Sequence, residues 1–420
     1  MRAPGLRRQR LATLLLGLAA GCDNGSGPVP VLSTNPIAAL AENVAPLTVD
    51  VGLPDIGYVD GLFATVTVCV PGTEDCQSID HVVVDTGSSG LRLLGSVLTL
   101  PLPARTDPSG VPLAECFQFI SGFAWGPLYE ADFRIAGEQA SQIAIQVIDA
   151  LTYPVPDDCT GVSASTAEGL GANGILGLST DLRDCGTECT EAPGPWSQNP
   201  GNYYTCSDGG CQTAAVPLVQ QMTNPVVLFS QDNNGTIVEL PAIPAAGAPS
   251  VSGALVFGIG TRDNNSLDQA EVLLLDQYGN FRTRYPVTST TLWPAFLDSG
   301  SNANYFLDSG TARIPICAPP FDSFYCPSST VNLTAINQDK MGHAARTVNF
   351  RIANAKVLTA RGDNTAFDCL GGPSSDPTTD TSGMYLMYFD WGLPFYFGRN
   401  VFTALEGQVT PAGEGPFVAY

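Results

Sequence analysis

Two short segments of the chain repeat one pattern of residues, and each carries an aspartate. Val82–Ser89 and Ala295–Asn302 both begin with three apolar residues, an Asp, a small hydroxyl residue, a Gly and a Ser. The apolar residues before Asp85 and Asp298 are typical of buried strands. Two carboxyls held about 3 Å apart cannot both be charged, so they share a proton. Such a pair can take a proton from water and give one to another group, which is general acid–base chemistry.

The composition predicts that these strands belong to an all-β protein. The chain has 420 residues with 44 Gly and 33 Pro, and only 14% of its residues are charged. Short runs rich in Val, Leu and Thr are broken by Gly, Pro and Asn, as in mostly β proteins. We predict an N-terminal β lobe over residues 46–261 and a C-terminal β lobe over residues 262–420. Each lobe would contribute one aspartate.

A later apolar segment accompanies the Asp motif in each half of the chain. Asn173–Leu178 is Asn-Gly-Ile-Leu-Gly-Leu, and Phe395–Gly398 is Phe-Tyr-Phe-Gly. With these segments in this order, the chain resembles the pepsin-like aspartic peptidases, and in particular an exported bacterial branch of that fold. The resemblance implies a two-lobed pepsin-like acid protease fold with a cleft between the lobes. It also implies that each apolar segment packs beneath the Asp loop of its own lobe.

The resemblance assigns roles to the residues of both motifs. Asp85 and Asp298 would activate the water that cleaves a peptide bond. In each loop the first hydroxyl residue would tie the two loops together, the Gly would allow a tight turn, and the following Ser would hydrogen-bond the carboxylate. These supporting residues are Thr86, Gly87, Ser88, Ser299, Gly300 and Ser301. The chemistry requires neither a cofactor nor a metal ion.

The resemblance further implies a hairpin, the flap, that closes over the substrate and carries a Tyr. Residues 117–135 are predicted to form a hairpin with its bend near the Gly-Pro pair at 126–127. Phe119 and Ile120 align best with the family's Tyr, so the phenol is missing, and Arg92 replaces the Trp that bonds it. Two functions remain open: a lipid-anchored aspartic endopeptidase-like hydrolase, or a catalytically inactive pepsin-fold lipoprotein that binds peptides or proteins in the cleft.

The second half contains another Asp-Ser-Gly sequence, at Asp308. We prefer Asp298 as the partner of Asp85 because the residues after it match the first motif better. An isolated Asp-Ser-Gly sequence is typical of a turn. The choice between Asp298 and Asp308 stays open at this point.

The N-terminus is predicted to be a lipoprotein signal peptide over residues 1–21. A basic start precedes the apolar run Leu11–Ala20, which is too short to span a membrane. Leu18–Cys22 resembles a bacterial lipobox, which implies cleavage before Cys22 and acylation of its thiol. An ordinary signal peptide is the alternative. With a flexible tether over residues 22–45, we expect an exported bacterial lipoprotein, anchored to a membrane in the periplasm or at the cell surface.

The chain contains 12 cysteines. In an oxidising compartment most of them should form disulfides, although an odd number remains after Cys22. Three close pairs are predicted to be disulfides: Cys69–Cys76, Cys206–Cys211 and Cys317–Cys326. A four-thiolate zinc site is the alternative for one group of residues: Cys185, Cys189, Cys206 and Cys211.

The net charge of −22 argues against nucleic acid as a partner. We expect a monomer that takes a peptide or unfolded protein as substrate and contacts the membrane through its N-terminal lipid. The acidic stretches at residues 232–235 and 263–266 suggest calcium loops but lack the acidic ligand that would close them, so hairpin turns are the simpler interpretation.

Overall fold

The structure of the protein, a computed structural model, describes residues 22, 35–120, 122–149, 151–194, 197, 199–207, 209–360, 363–374 and 387–420. The predicted signal peptide and half of the predicted tether, residues 23–34, lie outside these residues. Within them the chain is mostly β, and each of its α-helices is a single short turn or little more.

Twelve strands lie in the N-terminal part of the chain. They are β1 (Val44–Val49), β2 (Leu62–Cys69), β3 (Cys76–Asp85), β4 (Ser89–Leu94), β5 (Leu113–Gln118), β6 (Phe123–Ile135), β7 (Glu138–Ile148), β8 (Gly174–Leu178), β9 (Tyr203–Ser207), β10 (Gly210–Thr213), β11 (Gly235–Leu240) and β12 (Val251–Phe257).

The remaining described strands follow residue 270. They are β13 (Val272–Leu274), β14 (Phe281–Arg284), β15 (Leu292–Leu297), β16 (Asn304–Phe306), β17 (Val331–Gln338), β18 (Ala345–Ile352), β19 (Gly371–Gly372), β20 (Phe389–Trp391), β21 (Arg399–Ala404), β22 (Val409–Thr410), β23 (Gly413–Glu414) and β24 (Phe417–Ala419). The α-helices are α1 (Ala167–Leu170), α2 (Ser309–Ala312), α3 (Ala355–Thr359) and α4 (Leu393–Tyr396), and 3-10 turns cover Glu188–Thr190, Leu218–Gln220 and Pro225–Leu228.

These strands form two main sheets. The larger has 15 strands in the order β10-β9-β5-β6-β7-β4-β8-β3-β2-β1-β12-β11-β21-β24-β13, and the smaller has seven in the order β18-β17-β14-β15-β20-β16-β19. Strands β22 and β23 pair separately. Because β21 and β24 join the larger sheet, the end of the chain is hydrogen-bonded to the sheet that carries the first Asp motif.

One arrangement of three strands occurs in both sheets and positions the site. In the larger sheet β8 pairs in parallel with β3 and antiparallel with β4. In the smaller sheet β20 pairs in parallel with β15 and antiparallel with β16. Each Asp loop therefore leaves one strand and enters another, with a third strand inserted between the two. Their apolar side chains are buried in a common core that includes Val84, Leu176 and Trp391.

Six disulfides hold the described residues together. The three predicted pairs are confirmed. The zinc alternative is wrong, because Cys185 bonds to Cys189 in a disulfide. The remaining two pairs are Cys116–Cys159 and Cys22–Cys369. This number of disulfides is typical of an extracellular or periplasmic protein.

Among the described helices, none combines the length and apolar character that crossing a bilayer requires.

Candidate active site

The structure brings Asp85 and Asp298 together at the base of a cleft. Asp85 ends β3, and Asp298 directly follows β15. A Cβ atom added to Gly87 would lie 2.8 Å from the Cγ of Asp298. A Cβ atom added to Gly300 would lie 2.6 Å from an oxygen of Asp85. Only glycine therefore allows the two loops to approach so closely.

Thr86 and Ser299 bind the two loops to each other. The N–H of Thr86 donates to Oγ of Ser299 at 3.2 Å, and the N–H of Ser299 donates to Oγ1 of Thr86 at 3.0 Å. Oγ of Ser299 also donates to the carbonyl of Val84 at 2.7 Å, and Oγ1 of Thr86 to the carbonyl of Leu297 at 3.1 Å. These buried, reciprocal bonds satisfy both hydroxyls and fix how the two aspartates face each other.

Each loop also supplies hydrogen-bond donors to its own aspartate. In the first loop the N–H of Gly87, at 2.8 Å, and the hydroxyl of Ser88 donate to the carboxylate. In the second loop the N–H of Gly300 donates at 2.8 Å and the hydroxyl of Ser301 at 2.9 Å. The support that the resemblance implied is thus present for both aspartates. Donors of this kind stabilise the charged form of a carboxyl.

Burial and the neighbouring carboxyl of Asp85 raise the pKa of Asp298 well above its ordinary value. The hydrogen bonds from Ser301 and Gly300 oppose this rise. Two carboxyls in this position keep one proton between them and titrate as a pair.

Tyr58 lies beside this pair, and the sequence analysis missed it. Burial, followed by the charges of Asp298 and Asp85, raises the pKa of Tyr58 to about 12. The phenol therefore stays protonated, and it lines the same cleft. Its local sequence, Gly-Tyr-Val, carries no signal that could have predicted its position.

Asp390 is a third buried carboxyl of the site, also missed from the sequence. It lies in the middle of β20, and its Oδ2 is 2.7 Å from the hydroxyl oxygen of Ser301. The same hydroxyl bonds Asp298. An Asp within the short apolar segment Phe389–Trp391 is the signal that could have found it, because a carboxyl is rarely fully buried without a partner.

Asp308 lies away from the pair. It precedes α2, where its side chain accepts hydrogen bonds from the N–H groups of Gly310 at 2.8 Å and Thr311 at 3.0 Å. Partial burial works to raise the pKa of Asp308, but its hydrogen bonds with Thr311 and Gly310 outweigh burial and lower it. Asp298, and not Asp308, is the residue that faces Asp85.

The segment beneath the second Asp loop differs from the predicted one. Asp85 pairs with Gly177 in the parallel register of β3 and β8. In the smaller sheet Leu297 pairs with Trp391, which places Gly392 opposite Asp298. A Cβ atom at Gly392 would lie 2.1 Å from a main-chain oxygen. The prediction of Phe395–Gly398 for this role is wrong, because its first two residues belong to α4 and the inserted strand is β20.

The flap candidates lie at the tip of a hairpin that overhangs the cleft. Strands β5 and β6 are in register from Ala114 opposite Pro127 to Gln118 opposite Phe123. The bend therefore lies between Gln118 and Phe123, and the prediction of a bend at 126–127 is wrong. Phe119 and Ile120 both line the cleft that contains the two aspartates.

Arg92 is fully buried behind this hairpin. Its guanidinium bonds Glu115 of β5 at 3.0 Å and lies 3.7 Å from Asp184. It also lies over the ring of Phe117, 3.8 Å from the ring centroid. The flap strand is thus attached to the lobe by an ion pair and a cation–π contact.

The cleft has a volume of about 1430 Å³. Aromatic side chains from both lobes line it, together with the three carboxyls. Its lining contains no Lys, Arg or His among the residues that the structure describes. A cleft of this size and character can take an extended, largely apolar chain.

Cys22, the predicted lipidation site, forms a disulfide with Cys369 and is buried. This bond also accounts for the cysteine that the sequence left unpaired. One sulfur cannot carry both a disulfide and an acyl chain, so this arrangement competes with the predicted lipid.

The two residues directly before the second of the stretches that suggested calcium loops bond to the first stretch. Arg262 donates to Asp232 at 2.6 Å, and Thr261 donates to the other oxygen of the same carboxylate. Arg262 therefore balances the charge of Asp232. The interpretation as hairpin turns is wrong, because residues 232–235 follow a 3-10 turn and the strands on either side of residues 263–266, β12 and β13, do not pair with each other.

The fold of the chain is pepsin-like. Among solved structures, 346 chains match this one. One of them is the aspartic proteinase from Irpex lacteus, with 12% sequence identity and a TM-score of 0.52, and the match covers 90% of this chain and 96% of that one. At this identity the likeness shows the fold alone, and it confirms the predicted two-lobed all-β fold.

The chain belongs to the family described as "Protein of unknown function (DUF3443)", whose sequence model matches residues 39–420. No curated protein matches the chain.

Proposed function

We propose that the protein is an aspartic endopeptidase-like hydrolase that acts as a monomer on peptides or unfolded proteins. Asp85 and Asp298 would hold a water molecule between them. The ionised carboxyl takes a proton from this water, whose oxygen forms a bond to the peptide carbonyl carbon. The other carboxyl protonates the carbonyl oxygen. Transfer of a proton to the nitrogen then lets the C–N bond break, which leaves a carboxylic acid and an amine.

The close approach of the two Asp loops carries this proposal. Glycine at 87 and 300 is required by the facing carboxyls, and the reciprocal bonds of Thr86 and Ser299 hold the loops in that position. A surface turn with the same sequence, such as the one at Asp308, would not be expected to approach a second Asp loop in this way. Pre-positioned groups that cost no rearrangement during the reaction are what acid–base catalysis needs.

The flap favours a second candidate, a protein of the same fold that binds peptides in the cleft without cleaving them. Phe119 and Ile120 offer no hydroxyl at the tip, and Arg92 is engaged by Glu115 and Phe117. Both candidates use the same cleft and differ in whether the carboxyl pair performs chemistry.

The two candidates are separated by Asp85→Asn and Asp298→Asn, tested on an unfolded protein between pH 3 and pH 7. For a hydrolase we expect each variant to lose about 10²–10⁴-fold in cleavage rate. Asp308→Asn is the matched control, because it changes the same residue type in an Asp-Ser-Gly sequence outside the site, and it should cleave normally. A wild-type protein that binds peptides but never cleaves them would establish the binding function.

The proposed location is outside the cytoplasm, in agreement with the disulfides. Of the two fates of Cys22, the structure supports the bond to Cys369. A protein released after export therefore fits better than one anchored by lipid. Peptide mapping without reduction tests this proposal: a linked Cys22–Cys369 peptide is expected, and an acylated Cys22 with a free Cys369 would establish the membrane anchor instead.

A further inference from the structure

Asp390 occupies a position at which the two halves of the site differ. Its backbone lies opposite Phe296 of β15 and Tyr305 of β16. In the larger sheet the corresponding residue of β8 is Ile175, two residues before Gly177 as Asp390 is two residues before Gly392. One half of the site therefore has an apolar residue beneath its Asp loop, and the other half has a carboxyl.

The hydrogen bonds around Ser301 require a proton from a carboxyl. Oγ of Ser301 lies 2.9 Å from Oδ2 of Asp298 and 2.7 Å from Oδ2 of Asp390. A hydroxyl has one proton and can donate only one of these bonds. The other bond forms when a carboxyl donates to the hydroxyl. Ser301 thus connects Asp390 to the catalytic pair through two short hydrogen bonds.

The surroundings of Asp390 contain acids and phenols. Its side chain is 2% exposed, lines the cleft and has one oxygen, Oδ1, without a hydrogen-bond partner among the described residues. The charged or titratable groups that interact with it are Asp298 and Asp85 on the two Asp loops, Tyr388 before β20, Tyr305 on β16 and Tyr396 on α4. None of the described salt bridges includes Asp390.

These interactions favour the neutral form of Asp390 at acid pH. Burial, followed by the charge of Asp298, raises the pKa of Asp390 well above its ordinary value; its hydrogen bond with Ser301 opposes the rise, and the charge of Asp85 adds to it. Asp85 and Asp298 contact each other directly, whereas Asp390 reaches them through a hydroxyl. The last proton to leave the three carboxyls should therefore be the one shared by the pair.

We propose that Asp390 is a positioning residue that titrates together with Asp85 and Asp298 and, through Ser301, keeps the shared proton on that pair toward neutral pH. Once Asp390 is ionised, its negative charge opposes the loss of the remaining proton. In terms of the proposed function, on which this step rests, the acid–base pair would stay in its singly protonated form over a wider range of pH. The alkaline limb of the pH–rate profile would therefore lie closer to neutral pH than it would without the carboxyl of Asp390.

Asp390→Asn and Asp390→Leu test the inference, because both remove the charge. The asparagine keeps a bond to Ser301, and the leucine imitates Ile175, so either variant suffices if the other fails to fold. Carbon-13 NMR of aspartate-labelled protein follows the last proton of the pair directly, without any cleavage. We expect its titration midpoint to fall by about one to two pH units in both variants. Asp308→Asn is the control and should leave the midpoint unchanged.

The pH–rate profile of the same proteins separates this inference from the proposed function. If wild type cleaves and its alkaline limb moves to lower pH in the variants, both hold. If the NMR midpoint falls but wild type cleaves nothing, Asp390 titrates with the pair and the hydrolase function fails. An unchanged midpoint in a folded variant overturns the role of Asp390, whatever the cleavage assay shows.

Discussion

At the residue scale, the buried arginine behind the flap lies between two acidic side chains. Arg92 faces Glu115 and Asp184, two carboxyls with a single cation between them. The hydroxyl of Tyr203 also donates to Asp184 at 2.5 Å. Burial, then the carboxyl of Glu115, raises the pKa of Asp184 well above its ordinary value, while Arg92 opposes the rise. Asp184 therefore keeps its proton in the folded state to a higher pH than an exposed Asp does.

This proton makes stability depend on pH with a definite sign. A carboxyl whose pKa is higher in the folded than in the unfolded state contributes stability below its unfolded pKa of about 4, and this stability is lost as pH rises. Asp184→Asn removes the titrating carboxyl, so the variant does not lose this stability as pH rises. We expect the variant to exceed wild type in unfolding free energy at pH 7 by about 1–3 kcal/mol and to match it near pH 3.5. Urea titrations at a series of pH values measure the difference.

Asp308→Asn provides a control of opposite sign. The pKa of Asp308 is lowered in the folded state, so its carboxylate contributes stability above the unfolded pKa, which is lost as pH falls. This variant should be slightly less stable than wild type at pH 7 and equal to it in acid. If the difference in unfolding free energy between Asp184→Asn and wild type does not change with pH, Asp184 does not hold the proton assigned to it.

At the element scale, the flap hairpin presents the apolar side chains of Phe119 and Ile120 to the cleft. Cys116 of β5 is bonded to Cys159, which ties the hairpin to the segment beneath it. Ile120 is 75% exposed and lines the cleft. A peptide lying in the cleft would cover this side chain, so its burial should stabilise the bound state. The tip can thus contribute to binding although it has no phenol.

Ile120→Ala tests this contribution. We expect kcat/KM for an extended peptide to fall about 3- to 10-fold, as partial loss of apolar burial implies, with the pH profile unchanged. Val219→Ala is the comparison variant, because Val219 is 76% exposed and does not line the cleft. Equal effects of the two substitutions would show that the tip makes no contact with substrate.

The elements of the first half could be predicted better than those of the second. Asn173–Leu178 has a Gly-Ile-Leu-Gly pattern, and it forms the inserted strand β8. In the second half, Phe395–Phe397 is more apolar than Phe389–Trp391, which contains an Asp. The more apolar segment was therefore predicted for the role that Phe389–Trp391 has. Periodicity alone cannot distinguish a short buried strand from a buried helical turn. Parallel pairing over a large sequence separation, as between β15 and β20, leaves no local signal.

The site was predictable where its chemistry lies in contiguous residues. Both Asp loops could be read directly from the sequence. Tyr58 and Asp390 could not be predicted, because tertiary packing alone brings them to the pair. The pairing of Cys22 with Cys369 spans 347 residues, and a lipobox pattern offered a competing local explanation.

At the scale of the whole molecule, charge is the property that extends beyond the site. The chain carries 40 acidic and 18 basic residues, and acids line the cleft beyond the three central carboxyls. These are Glu168, Asp181 and Asp322. With no cation among the described lining residues, the cleft should attract positively charged peptides and repel acidic ones.

We therefore expect peptides flanked by Lys to be cleaved faster than otherwise identical peptides flanked by Glu. Burial, followed by the charge of Glu406, raises the pKa of Asp181 to about 6. Asp181 is thus neutral at more acidic pH and gains its charge as pH rises through that value, so the preference for Lys should grow between pH 5 and pH 7. We expect a ratio of kcat/KM values of about 3 to 10 at low salt. Because salt screens exposed charges over about 10 Å at 0.1 M, the ratio should decline toward one at high ionic strength, while cleavage of a peptide with neutral flanks is unaffected.

A preference for Lys that persists at high salt, or that is equal at pH 5 and pH 7, would mean that shape and not charge selects the substrate.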